Sequence, residues 1–133
     1  MVEKMRISEL AKLAGVTPRT IRYYENLGLL EASEREGTGF RYYTEVELIR
    51  LQKINLLKTL GLTLDEISQV IPLLFEEPRK LAGKKMLLEF LKDHLQKIDR
   101  QVDSLVQHRA ELQERIKLIQ QWIDERSTDK RSV

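Results

Sequence analysis

Residues 16–25 read VTPRTIRYYE, a stretch with the features of a helix that begins at a capped N-terminus. Its threonine supplies a capping hydroxyl, and the proline that follows suits the first helical position. A short helix before it is predicted to be capped by Ser8 and to end at Gly15, and the second helix is predicted to end at Gly28. Two short helices joined by a glycine-containing turn predict a helix-turn-helix, although a helical hairpin of a bundle fits the same caps equally well.

The residues after the second helix favour the helix-turn-helix. Residues 29–32 and 39–43 flank a polar tip, residues 33–38, that contains glycine, and this pattern predicts a β-hairpin. A hairpin placed directly after the second helix makes the unit a winged helix. The sequence therefore predicts a wing that contacts the DNA backbone beside the groove.

Two further helices are predicted to begin at capping boxes. Residues 44–47 (TEVE) begin a third helix that ends at Gly61, and residues 63–66 (TLDE) begin a short fourth helix that runs to Pro72. These helices complete a predicted domain over residues 1–75.

The second half of the chain has the composition of one long helix. Residues 84–126 contain neither glycine nor proline, whereas residues 76–83 contain one of each and are predicted to be a connector. Residues 127–133 are small or polar and are predicted to be a flexible tail.

An apolar stripe along the long helix predicts a coiled coil. Its members lie alternately three and four positions apart, and all but one are apolar. A helix over residues 84–126 would be roughly 65 Å long at about 1.5 Å per residue, which is too long to bury the stripe against one small domain. We therefore predict a homodimer. The stripe comprises Leu88, Leu91, Leu95, Ile98, Val102, Leu105, Arg109, Leu112, Ile116, Ile119 and Ile123.

Arg109, the charged member of the stripe, favours antiparallel pairing. In a parallel, in-register dimer it would face its own copy, and like charges at close range repel. Antiparallel pairing about a centre near Leu105 brings it close to the partner's Asp99 or Asp103 instead.

Five segments in this order resemble the MerR family of bacterial transcription regulators. They are ISELA at residues 7–11, VTPRTIRYYE at 16–25, GLL at 28–30, GFRYY at 39–43 and LGLTLDEI at 60–67. The long helix is similar to the dimerisation helix of that family. The resemblance implies a mostly α fold, in which a winged helix-turn-helix DNA-binding domain precedes a long antiparallel coiled-coil dimerisation helix.

The second helix carries the first candidate DNA contacts. Arg19 and Arg22 lie three residues apart and share a face, beside Thr20 and Tyr23. A recognition helix presents its first turns to base edges and phosphates, and the guanidinium fork suits guanine or phosphate. The alternative for the arginines is a solvated surface charge, and for Tyr24 it is a core aromatic with its hydroxyl at the rim.

The resemblance implies further contacts outside this helix. It assigns backbone contacts to Arg41 and Tyr42 in the wing and a phosphate contact to Lys58, with Arg35 at the tip as an additional candidate. Glu25 is expected to brace a nearby arginine, because DNA would repel its charge. The predicted DNA-binding residues are Thr17, Arg19, Thr20, Arg22, Tyr23, Tyr24, Arg41, Tyr42 and Lys58.

Composition excludes several function classes. The chain has no cysteine, which removes disulfides, thiolate metal sites and cysteine nucleophiles. Residues 1–80 carry 12 basic and 12 acidic residues, so a DNA-binding surface must come from their local arrangement. The sequence also lacks a phosphate loop, a nucleophile–base arrangement and paired carboxylates, and we predict no enzymatic activity. With no signal peptide and no apolar run near the roughly 18 residues of a membrane span, we expect a cytoplasmic, nucleoid-associated protein.

No metal or cofactor is predicted, and the sequence identifies no inducer. His94 and His108 are expected to be surface residues, and relatives that sense metals or drugs use a cysteine loop or an added domain that this sequence does not have. The sequence thus predicts a homodimeric transcription regulator that binds double-stranded promoter DNA and acts with RNA polymerase by distorting the promoter. The alternative is an architectural protein that anchors DNA and docks a protein partner through its coiled coil.

Overall fold

The computed structural model describes residues 4–32, 34–35 and 41–131, with side chains over 4–32 and 41–127. The described chain is mostly helical, as predicted, and its contacts divide it into two units, Met1–His94 and Leu95–Val133. In chain order its elements are α1 (Ile7–Ala14), α2 (Pro18–Asn26), β1 (Glu34–Arg35), β2 (Arg41–Tyr42), α3 (Glu45–Thr59), α4 (Leu64–Leu74) and α5 (Lys80–Arg131).

Helices α1 and α2 form the predicted helix-turn-helix. Gly15 follows α1 with a φ of 70°, a left-handed conformation that glycine adopts without strain. The Thr17 hydroxyl oxygen accepts a hydrogen bond from the Thr20 backbone N–H at 3.1 Å, and Pro18 is the first residue of α2. The local chemistry of the turn therefore determines both helix ends that meet there.

The predicted cap of α1 is wrong, because the helix begins at Ile7 and Ser8 lies within its first turn. Met5 pairs with Tyr43 through two backbone hydrogen bonds of 2.7 Å, which hold the preceding chain extended. Arg6 then takes the capping position. A contact distant in sequence thus determines where this helix begins.

The hairpin is present, but its first strand differs from the prediction. β1 and β2 pair antiparallel with Glu34 opposite Tyr42, whereas Leu29 and Leu30 are 2% and 1% exposed and belong to the core. Residues 33 and 36–40, which include most of the predicted tip, lie outside the described residues, as does the side chain of Arg35.

Both predicted capping boxes are confirmed. The Thr44 backbone N–H and hydroxyl donate to the Glu47 carboxylate at 2.7 and 2.6 Å, and Thr63 and Glu66 exchange two hydrogen bonds at 2.9 and 3.1 Å. The predicted end of α4 at Pro72 is wrong, because the helix continues to Leu74. Leu74 is 6% exposed, and its burial favours another helical turn beyond the proline.

Helix α5 is longer at both ends than the prediction of residues 84–126. It begins at Lys80 and reaches Arg131, so it takes in part of the predicted connector and of the predicted tail. Gly83 lies within it, and a Cβ at that position would be 2.7 Å from the Leu73 Cβ. The glycine therefore permits close packing of α5 on the end of α4 rather than ending a helix.

The core of the first unit joins all four short helices to the first turns of α5. Its fully buried side chains include Leu10, Ile21, Leu51, Ile67 and Ile71. Met86, Leu87, Phe90 and Leu91 of α5 pack against this core. Leu91, which was predicted to belong to the dimer stripe, thus contacts its own domain. Within the described residues, no helix is both long enough and apolar enough to cross a membrane.

Candidate nucleic-acid interface

The exposed face of α2 carries the two predicted arginines. Arg19 and Arg22 are both exposed, and Tyr23 keeps 48% of its surface accessible. Thr20 is half-buried, and its hydroxyl lies 3.0 Å from that of Thr17, the cap of the same helix. The Thr17 hydroxyl therefore has a structural role in starting α2, whereas the arginines and Tyr23 are accessible to a ligand.

Tyr24 belongs to the core, in agreement with the alternative considered for it. Its side chain is 2% exposed, and its hydroxyl accepts a hydrogen bond from the Lys58 Nζ at 3.2 Å. The Lys58 ammonium lies 5.7 Å from the centre of the Tyr24 ring, on the side of its hydroxyl. Lys58 of α3 is thereby held against α2, and DNA binding by Tyr24 stays a prediction.

Glu25 braces an arginine, as expected, and that arginine is Arg41 of the wing. The Arg41 Nη1 donates to the Glu25 Oε2 at 2.9 Å, and the Tyr43 hydroxyl donates to the Glu25 Oε1 at 2.8 Å. Burial and the bond to the Glu25 carboxylate raise the pKa of the Tyr43 hydroxyl to about 12. The carboxylate thus fixes β2 to α2, and Arg41 keeps 47% of its side chain exposed.

Tyr42 has a cationic neighbour that the sequence analysis missed. The Lys4 Nζ lies 4.6 Å from the centre of the Tyr42 ring, in cation–π geometry. The pairing of Met5 with Tyr43 brings these two residues together. The sequence alone could not predict this contact, since Lys4 and Tyr42 lie far apart in the chain.

Three cations lie on α2 or beside it. Lys58 reaches α2 from α3, and Arg41 reaches it from β2. Arg22 lies close enough to Tyr43 for its charge to lower the pKa of that hydroxyl, against the larger effects that raise it. Residues of α2, α3 and the wing that were predicted to contact DNA therefore lie in one folded unit.

Comparison with known proteins agrees with this arrangement. A family model described as "MerR HTH family regulatory protein" matches residues 5–74, and another described as "MerR, DNA binding" matches residues 48–115. The chain is 36% identical over 110 residues to an HTH-type transcriptional regulator of Pseudomonas aeruginosa, which covers 83% of this chain and 81% of that protein. The chain belongs to the MerR family. The first match contains every predicted DNA-binding residue.

Other MerR proteins extend the comparison. The chain is 39% identical over 109 residues to the nodulation protein NolA of Bradyrhizobium sp. (strain NC92), covering 82% of this chain but 42% of that protein. A crystal structure of a MerR family transcriptional regulator from Bacillus cereus has 30% sequence identity and a TM-score of 0.62, covering 86% of this chain and 84% of the other. The MerR fold therefore extends over most of the chain, which spans about two fifths of the length of NolA.

One prediction about the histidines of this MerR protein is wrong. His94 is not a surface residue: its side chain is 19% exposed, and its Nε2 lies 2.8 Å from the Glu66 Oε1. The first turns of α5 pack beside the N-terminus of α4, a proximity that residue spacing does not reveal. Among the described residues, no group of three or more histidines, aspartates and glutamates could hold a metal ion.

The second unit presents the apolar stripe to solvent. Leu105 and Ile116 are 67% and 65% exposed, and the other apolar stripe members from Leu95 to Ile123 are between 45% and 58% exposed. A stripe this long and this accessible is typical of a helix that pairs with another chain. MerR membership and the exposed stripe support the predicted dimer. The relative orientation of its two α5 helices stays a prediction.

Proposed function

We propose that the protein is a homodimeric transcription regulator that binds double-stranded promoter DNA through α2 and the wing. The observation that carries this proposal is the exposed Arg19 and Arg22 face of a capped helix, with Arg41 and Lys58 held beside that helix by side-chain contacts. Four cations on one surface compensate for the neutral overall charge of the domain.

The side chains divide by function. Arg19 and Thr20, near the N-terminal end of α2, read base edges, while Arg22, Arg41 and Lys58 contact phosphates. Phosphate contacts supply affinity and its salt dependence, and base contacts supply sequence choice. Tyr24 acts through Lys58, because its ring is buried and its hydroxyl contacts that ammonium.

The dimer places two copies of this surface on one promoter. A pseudo-palindromic site is the expected target, since two-fold protein symmetry is mirrored in the half-sites. We infer regulation by distortion of the promoter for RNA polymerase, which makes DNA deformability part of the specificity. Such a protein acts in the cytoplasm at the nucleoid.

The test begins with duplexes selected from a random pool by the full chain. Replacing Arg22 with alanine should weaken binding to selected and unrelated duplexes alike, and should reduce the slope of log affinity against log salt by about 1. Arg115→Ala, which removes another exposed arginine from the second unit, is the matched control and should leave both quantities unchanged. Equal affinity of Arg22→Ala and the unmodified chain at two salt concentrations would contradict the assignment.

Transcription in vitro separates regulation from DNA anchoring. A selected site placed between promoter elements should change the output of RNA polymerase when the protein is added. Binding without any change in output at such sites would favour the architectural alternative.

A further inference from the structure

The N-terminal segment, residues 4–6, lies beside the wing as a further extended strand. Met5 and Tyr43, the residue that follows β2, exchange two backbone hydrogen bonds of 2.7 Å in an antiparallel pair. β2 itself pairs with β1. The segment therefore shares the wing's position relative to α2, although it is distant from the wing in sequence.

Side-chain alternation places two cations on the outer face of this segment. Met5 and Tyr43 are 8% and 1% exposed, so both side chains point into the core. Adjacent residues of an extended chain point to opposite faces, and Arg6 has extended backbone angles. Lys4, Arg6 and Tyr42 thus share the face that is turned away from the core, and both cations are exposed.

These two cations flank Tyr42. In the register that Met5 and Tyr43 establish, Arg6 lies directly opposite Tyr42, and Lys4 lies at a diagonal position. The Lys4 Nζ is 4.6 Å from the centre of the Tyr42 ring. Since Tyr42 is a predicted contact of the DNA backbone, a phosphate bound there lies beside two positive charges.

We propose that Lys4 and Arg6 are DNA-contacting residues that bind backbone phosphates next to the one contacted by Tyr42. Arg41 lies on the other face of the wing, where it bonds to Glu25 of α2. The wing then contacts the DNA backbone with side chains of both faces, and the N-terminal segment is part of the interface. This inference rests on the proposed function and extends it to residues outside α2, α3 and the hairpin.

Phosphate is the DNA group that suits these two side chains. They lie beside the wing rather than on α2, the helix that we propose reads base edges, and their ammonium and guanidinium groups form strong charge-assisted hydrogen bonds with phosphate oxygens. Such contacts raise the affinity for every duplex and its dependence on salt, and they carry no sequence information.

Fluorescence anisotropy of the full chain with duplexes that it selects from a random pool, at a series of salt concentrations, tests the proposal. Lys4→Gln and Arg6→Gln should each weaken binding to selected and unrelated duplexes alike, by about threefold to tenfold. Each should reduce the slope of log affinity against log salt by about 1 for each half-site, and the double variant by about 2. Lys4→Arg keeps the charge and should retain the slope.

Matched controls separate DNA contact from a role in folding. Lys117→Gln removes the same charge from an exposed position of α5 and should leave affinity and slope unchanged. The Arg6 side chain makes no capping hydrogen bond to α1, so Arg6→Gln should also leave the melting temperature unchanged. A purely structural role would lower the melting temperature, measured by circular dichroism, and leave the salt slope as it was.

Two results would overturn the proposal and leave the proposed function standing. One is an unchanged salt slope in the double variant while Arg22→Ala reduces it. The other is an equal reduction by Lys117→Gln, because the slope would then report total charge rather than contacts. A chain that selects no duplex would reject the proposed function together with this inference.

Discussion

Glu25 joins α2 to the wing within the proposed DNA-binding surface. Its side chain is 9% exposed and accepts hydrogen bonds from Arg41 and from the buried Tyr43. The bond to Tyr43 contributes more stability than the one to Arg41, since the arginine is half exposed and water screens its charge. An acidic residue thus stabilises the surface that we propose binds DNA, because it positions one of that surface's cations.

We expect Glu25→Ala to reduce the free energy of unfolding by about 1–3 kcal/mol, because the Tyr43 hydroxyl loses its acceptor in the interior. Urea denaturation measures the loss. Tyr43→Phe removes the same bond from the other side, so the double variant should lose less than the sum of the two single losses. Additive losses would show that the bond contributes no stability.

Glu66 predicts a pH dependence of stability. Burial by itself raises the pKa of its carboxyl, but hydrogen bonds from the Thr63 backbone and His94 outweigh that effect and lower the pKa below 4.5. A carboxyl whose pKa is lower in the folded state stabilises the fold above pH 4.5, and this contribution is lost as the pH falls through the lowered value.

The difference in unfolding free energy between the unmodified chain and Glu66→Gln should therefore be fully present above pH 4.5 and shrink as the pH falls through the lowered pKa of the carboxyl. Denaturation at a series of pH values measures this difference. Glu89→Gln, which replaces an exposed carboxylate on α5, provides the control. A difference that stays constant with pH would contradict the assigned cause.

Local sequence was sufficient for residues whose partners are close in the chain. The caps at Thr17, Thr44 and Thr63 were predicted correctly because each bonds a group three residues away. Ser8 was assigned wrongly as a cap, since the pairing of Met5 with Tyr43 determines where α1 begins. His94 was assigned wrongly as a surface residue, since its partner Glu66 lies far away in sequence. The cation–π contact of Tyr42 was missed for the same reason.

At the scale of elements, α5 shows how packing overrides local composition. Gly83 favours a break in a helix, yet α5 continues through it. The position requires glycine because α5 approaches the end of α4 too closely for a side chain. Pro72 is likewise accommodated inside α4, where the turn that follows is held by the burial of Leu74. The presence and order of the helices could be predicted from the sequence. The start of α5 and the end of α4 could not, because they depend on packing.

Gly83→Ala should destabilise the protein by about 1–3 kcal/mol, although alanine favours helices over glycine by about 1 kcal/mol. The added Cβ would lie 2.7 Å from the Leu73 Cβ and 3.1 Å from backbone atoms, neither of which is a flexible side-chain end. Thermal or urea denaturation measures the change. Ser104→Ala, at an exposed position of α5, should have an effect within about 0.5 kcal/mol. Increased stability of Gly83→Ala would show that the two helices separate readily.

At the scale of the whole molecule, the exposed apolar stripe of α5 leads us to expect a homodimer. The sequence predicted the apolar periodicity of residues 95–123, and the structure leaves those side chains accessible. Orientation depends on one residue, since Arg109 faces its own copy in a parallel pair and acidic residues in an antiparallel one. A single charge within an otherwise apolar stripe therefore favours the antiparallel arrangement.

Cysteine pairing distinguishes the two arrangements, and the natural absence of cysteine leaves no competing thiol. Ile98 and Leu112 each lie seven positions from Leu105, so antiparallel pairing about that residue brings Ile98 of one chain opposite Leu112 of the other. Ile98→Cys and Leu112→Cys, co-expressed with one chain tagged, should form a disulfide between the two variants on mild oxidation, because their Cα atoms approach within the range of about 4.4–6.8 Å that a disulfide needs. Neither variant alone should do so. Efficient oxidation of Ile98→Cys with its own copy would establish the parallel arrangement, and Arg109 would then need a partner outside the seam.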